Sequence, residues 1–131
     1  MLERANENKE KAGAENVSFV DSKITDIKLP DSIANCIISN CVVNLVPEGE
    51  KRLVFNEMYR LLKPGGRVAI SDILTKKPLS DEIKRSIALY VGCIAGASST
   101  EQYEGYFRKA GFAGEFCLFV CFVSVLNGWF G

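Results

Sequence analysis

Histidine is absent from all 131 residues. Its absence excludes Ser-His-Asp and Cys-His nucleophile arrangements within the chain. It also removes the commonest metal ligand. Net charge is lacking too, since 16 lysines and arginines balance 16 acidic residues. With no basic run of the kind that grips phosphate backbones, no nucleic-acid partner is expected. Long apolar runs are missing: the longest, 116–126, is broken only by Ser124. A bilayer crossing takes about 20 residues, so no membrane partner is expected either. Met1 opens onto the charged stretch LERANENKEKAG, where a signal peptide would be apolar. The five cysteines, Cys36, Cys41, Cys93, Cys117 and Cys121, are odd in number. Together these features predict free thiols in a reducing, cytoplasmic setting. Neither internal repeats nor low-complexity segments are visible.

What is present is ordinary globular composition, 47% hydrophobic and 24% charged, on a length that suits one domain. Residues 2–12 are good helix formers, and Gly13 follows as a stop signal. NVSFV (16–20) alternates apolar and polar positions and predicts a strand. Pro30-Asp31 marks a turn in the loop over 21–32. IANCIIS (33–39) predicts a second strand, with the apolar centre of a parallel sheet covered on both faces. Pro47 and Glu48 open a helix whose inward stripe is Val54, Met58, Leu61 and Leu62. Glu57 and Arg60 are expected on its solvated face or paired locally. KPGG (63–66) is a structural turn that ends this helix, and RVAIS (67–71) is a third strand. A helix follows over 78–90, then the small-residue segment VGCIAGASS (91–99). Ser99 with Gln102 predicts a capping box for a helix to Ala110, closed by Gly111. The tail FCLFVCFVSVLNGWFG reads as a strand or as misplaced apolar sequence.

Strands alternating with helices predict an α/β fold with a mostly parallel sheet. Ligands bind beyond the carboxyl ends of such strands. Ser22-Lys23-Ile24, Ser39-Asn40-Cys41 and Ser71-Asp72 are therefore the places to examine. From its type alone, Cys41 is either a small buried hydrophobe or a ligand. Cys36, five residues away, faces the opposite side of the strand and is expected in the core. Cys93 lies in a glycine-rich loop, where function is more plausible than packing. Cys117 and Cys121 stand four apart in an apolar run, without the close CxxC pairs of zinc sites, and are expected to be core. Asp72, at a strand end, is either catalytic or a cap for the following turn.

RLLKPGGRVAISDI (60–73), after an amphipathic helix, resembles the signature that follows the core of class I S-adenosylmethionine-dependent methyltransferases. SNCVVNLVPEGEKRLVFNEMYRLLKPGG (39–66) together with LYVGCIAGA (89–97) is similar to arsenite methyltransferases in particular. The resemblance covers roughly residues 1–112. It implies a partial Rossmann-like fold, S-adenosylmethionine as cofactor, arsenite or its thiol conjugate as the small-molecule substrate, and a thiol reductant as partner. It places arsenic-holding thiolates at Cys41 and Cys93. Trivalent arsenic is soft and thiophilic, so thiolate ligands suit it. Its lone pair is the nucleophile in an in-line displacement, so no general base is needed and positioning is most of the task.

The same resemblance places cofactor contacts at Ser22, Lys23 and Ile24 along the adenine, and at Ser39 and Asn40 beside the methionine end. Many class I members carry an aspartate where Lys23 stands, which favours backbone over side-chain contact there. The family's first strand with its glycine-rich turn, the acid after the second strand and two further cysteines have no counterpart in the sequence. Residues 1–112 are thus expected to be the C-terminal portion of a methyltransferase domain and 113–131 an aberrant apolar tail. A truncated chain of this kind is expected to be inactive alone. The alternatives are a class I methyltransferase acting on a small organic molecule and a non-catalytic truncated product.

Overall fold

The structure, a computed structural model, describes residues 1–76 and 96–113. Helix α1 spans Leu2–Ala12 and ends in Gly13 at φ 61°, whose N–H returns to Glu10. Strand β1 is Ala34–Asn40, followed by a 3-10 turn over Val43–Leu45. Helix α2 is Glu48–Leu61, strand β2 is Leu62–Ser71 and helix α3 is Thr100–Ala110. Among the described residues the sheet is β1 paired in parallel with β2, with α2 as the crossover between them. This is a partial Rossmann-like α/β arrangement. The expected helix over 78–90 and the apolar tail lie outside the described residues.

The ends of α1 and α3 fall where their capping residues put them. Ser99 accepts the Gln102 N–H while the Gln102 side chain accepts the Ser99 N–H, completing the capping box. Gly111 closes α3 at φ 102°. α2 starts one residue later than a first-turn proline would imply, with Pro47 as its N-cap at φ −52°. Glu48 and Glu50 then sit at its positive dipole end.

The KPGG turn survives inside β2. Ala34 pairs with Leu62, yet Cys36 pairs with Arg67, so the intervening residues loop out of the ladder. Gly65 sits at φ 79°, and a Cβ on Gly66 would lie 2.8 Å from the Leu62 side chain. The two glycines let the chain leave α2 and re-enter the sheet within four residues.

The core is Val43, Val46, Val54, Phe55, Met58, Leu74 and Tyr103, lined on one side by Ile37, Val68 and Ile70 of the sheet. Phe55 is its centre. Its ring meets Tyr103 edge-on at 5.3 Å, Phe107 edge-on at 4.8 Å and Tyr106 stacked at 5.3 Å, which joins α2 to α3. Burying aromatic rings of this size contributes most of an interface's hydrophobic energy.

Two expectations about the sheet are corrected. Residues 16–20 are not a strand: their alternation is real, but no described segment pairs with their backbone. Among the described residues, the sheet is covered on one face rather than two. Cys36 is exposed and Ile38 is 80% exposed, so Cys36 is not a core residue. Both point to the face opposite Ile37, and nothing among the described residues packs there.

Candidate functional site at the carboxyl ends of the strands

The register places Asn40 beside Ser71, and the Cys41 N–H donates to the Ser71 carbonyl at 2.8 Å. The Ser39-Asn40-Cys41 and Ser71-Asp72 segments therefore share one end of the sheet. Cys41 ends β1 in the left-handed region, at φ 51°. A residue with a Cβ is strained there by about 1–2 kcal/mol. The turn swings the exposed thiol out of the strand line, and the chain passes at once into the buried turn Val43-Asn44.

Three polar side-chain atoms at this end are buried without a hydrogen-bond partner among the described residues: the Ser39 hydroxyl, the Asn44 side-chain oxygen and one carboxylate oxygen of Asp72. Asn44 donates its amide to the Ile73 carbonyl at 2.7 Å. Orphaned buried acceptors are costly, and at a ligand-binding edge they fit a group that brings donors.

Asp72 receives the Tyr103 hydroxyl at 3.0 Å and faces the backbone N–H groups of Asn44 and Val43. It is thus tied to α3 through Tyr103. Burial raises its pKa above the ordinary carboxylate value, against the lowering effect of these donors.

Beneath the turn lies a residue that pattern reading passes over. Lys51 is fully buried, and its ammonium donates to Glu48 at 2.8 Å, to the Ser98 hydroxyl at 2.7 Å and to the Gly96 carbonyl. Three protons meet three acceptors, which is the condition for burying a charge. Glu48 also receives Tyr106 and Gln102. Burial opposes its ionised form, but the hydrogen bonds from Lys51 and Tyr106 and the charge of Lys51 prevail, and its pKa is lowered. Gly96 presses onto the turn so closely that a Cβ there would sit 1.9 Å from the Asn44 carbonyl oxygen. Segment 96–99 is thereby locked to the turn after Cys41. Lys51 lies three and four residues before Val54 and Phe55, on the apolar stripe itself, and that spacing was the available signal.

The other candidate segment is anchored elsewhere. Ser22 accepts the Lys28 N–H at 3.0 Å, the Asp26 N–H returns to the Lys23 carbonyl at 3.0 Å, and Ile24 packs partly against the core. The bonds that fix the following residues run to Glu57 and Arg60 on α2. Those two residues do pair, as expected, but Glu57 is buried rather than on a solvated face. Cys93, Cys117 and Cys121 lie outside the described residues.

Residues 1–111 match the family described as Methyltransferase domain. The chain belongs to that family. Within it, the chain is 44% identical over 112 residues to the arsenite methyltransferase of Halobacterium salinarum, an alignment spanning 86% of the chain and 28% of the relative. It is 35% identical over 102 residues to the human arsenite methyltransferase, spanning 76% of the chain and 27% of the relative. Among solved structures, it matches an arsenic(III) S-adenosylmethionine methyltransferase from Chlamydomonas reinhardtii with a TM-score of 0.66 and 33% identity, covering 79% of this chain and 35% of that one. The chain therefore spans under a third of the length of these curated relatives. Among the described residues, no helix is long and apolar enough to cross a membrane.

Proposed function

We propose that the chain is part of an S-adenosylmethionine-dependent methyltransferase that moves methyl groups onto trivalent arsenic held by the thiolates of Cys41 and Cys93. The observation that carries this reading is Cys41 itself. It is an exposed thiol, set at the ligand end of a parallel sheet by a backbone angle that costs a cysteine energy. A strained position held at a strand mouth supports a role in binding.

S-Adenosylmethionine would supply an electrophilic methyl group on sulfur. Ser39 and Asn40 would hold its amino-acid end, where the unpartnered Ser39 hydroxyl suits an ammonium or hydroxyl donor. Ser22, Lys23 and Ile24 would line the adenine, with backbone contact favoured at Lys23. Thiolates fix arsenic while leaving its lone pair free, so the protein's task is to aim that pair. Arsenite or its thiol conjugate is the substrate, and a thiol reductant restores the trivalent state between transfers. The reaction setting is the cytoplasm, in keeping with an odd set of cysteines. Residues 1–112 form the methyltransferase unit, and 113–131 lie outside it. A balanced net charge supports the absence of a nucleic-acid partner.

The test is calorimetric titration of arsenite into the chain and into its Cys41→Ser and Cys93→Ser variants. Each substitution should weaken binding at least tenfold. Equal binding by parent and both variants would remove the assignment.

A further inference from the structure

The last two turns of α2 hold a bracket that the reaction chemistry leaves unexplained. Arg60 has five N–H donors and uses all of them. Nε donates to Glu57 at 3.0 Å. One terminal nitrogen donates to the Leu29 carbonyl at 2.9 Å and to Asp31 at 2.5 Å. The other donates to the Ile27 carbonyl at 2.9 Å and to Glu57 at 2.5 Å. Glu57 in turn accepts the Ile27 N–H at 2.8 Å, and the Arg60 carbonyl accepts the Ser32 N–H at 2.9 Å. An exposed ion pair contributes little to stability. A fork that holds two backbone carbonyls and a side-chain carboxylate of one loop instead defines that loop's shape.

The bracket reaches the candidate cofactor segment through one further bond. The Lys28 N–H, between the two carbonyls that Arg60 holds, donates to the Ser22 hydroxyl at 3.0 Å. That bond uses an acceptor lone pair of Ser22 and leaves its proton as a donor. The Asp26 N–H to Lys23 carbonyl bond closes the intervening turn. The placement of Ser22, Lys23 and Ile24 thus follows from α2, although these residues lie more than 30 positions before Arg60.

We infer that Glu57 and Arg60 are positioning residues for the adenosine end of the cofactor, acting through the 22–31 loop without touching the ligand. This rests on the reading that Ser22–Ile24 line the adenine. Lysine retains the charge of Arg60 but has one nitrogen, which cannot span Ile27, Leu29 and Asp31 together. Arg60→Lys therefore separates loop geometry from charge.

The experiment titrates the full chain with S-adenosylhomocysteine, with adenosine and with arsenite, in the parent, Arg60→Lys and Glu57→Gln. The expected result is an at least tenfold loss of affinity for S-adenosylhomocysteine in Arg60→Lys, the same factor for adenosine, and arsenite affinity within twofold of the parent. Glu57→Gln should lose less, about threefold, because one acceptor oxygen remains. Unchanged nucleoside binding in Arg60→Lys overturns the inference and leaves the cofactor reading in place. Parallel loss of arsenite binding also overturns it, since the bracket then only supports the fold. Arsenite binding without any S-adenosylhomocysteine binding in the parent overturns the cofactor reading and the inference together.

Discussion

Lys51→Met keeps the length and volume of a fully buried side chain and removes only the ammonium. The parent makes three charged hydrogen bonds, to Glu48, Ser98 and Gly96. Removing one partner of a fully buried ion pair costs about 3–5 kcal/mol, because the other charge stays desolvated. Here the Glu48 side chain is 53% exposed and can rehydrate. The Ser98 hydroxyl and the Gly96 carbonyl remain inside. The lower end applies, about 3 kcal/mol, which in a domain of this size lowers the midpoint of thermal unfolding by about 10 °C or more. Urea unfolding followed by circular dichroism reads the effect as a lower midpoint at unchanged slope. Glu48→Gln should cost a comparable amount, because the fully buried Lys51 ammonium then loses its counter-charge. A Lys51→Met variant within about 0.5 kcal/mol of the parent would refute the reasoning: desolvation of the ammonium would then cancel all three bonds, as it does when some buried ion pairs are replaced by apolar residues.

Other consequences concern the backbone, the titratable groups and the open sheet face. Cys41→Gly should be more stable than Cys41→Ala by about 0.5–1 kcal/mol, because relief of left-handed strain exceeds glycine's extra freedom in the unfolded chain; a more stable alanine variant in urea melts would contradict the φ of 51°. Tyr106 is pushed up to about 12, by burial first and then by its bond to Glu48, and Tyr103 is raised for similar reasons. Protonated tyrosines are thus favoured in the folded state, so the Tyr106 contribution is full below pH 10 and is lost as pH rises towards 12, while that of the more strongly raised Tyr103 persists to higher pH. On the acid side Glu48 and Glu57 are lowered, so their contribution is present above pH 4.5 and falls away below it, while the raised Asp72 opposes this loss. Melting temperatures across both limbs check these signs, and a Tyr106→Phe variant with an unaltered alkaline limb would count against the tyrosine assignment. Ile38→Lys places a charge on the open face of β1 and should reduce self-association in sedimentation without lowering stability; a clear loss of stability would mean that this face is covered.

Local chemistry made the helices readable. Gly13, the Ser99–Gln102 box and Gly111 are signals whose physics is complete within a few residues, and α1 and α3 end on them. The NVSFV segment shows the opposite case. Alternation reports which side chains could share a face, but a strand also needs a neighbour for its N–H and C=O groups, and sequence spacing does not reveal one. Parity placed Cys36 on the face opposite Ile37, yet which face is buried depends on what packs there, so Cys36 proved exposed, and Cys41 lies beyond β1 in a left-handed turn where strand parity no longer applies. Lys51 was hidden by its charge. It occupies a stripe position with Val54, Phe55 and Met58, but only the acceptors brought in by residues 96 and 98 make its burial possible. The Arg60 bracket was legible as a local pair with Glu57, whereas its grip on residues 27–31 depends on contacts about 30 positions apart.

The most direct test of the central claim is the number of sulfur atoms around bound arsenic, read by X-ray absorption at the arsenic edge in thiol-free buffer. Cys36 and Cys41 lie five residues apart and are both exposed, so each controls for the other. Cys41→Ser should lower the sulfur count by one and weaken binding, while Cys36→Ser leaves both unchanged. An unchanged count in Cys41→Ser, or a lower one in Cys36→Ser, would contradict the assignment of Cys41 as the thiol that presents arsenic for methylation.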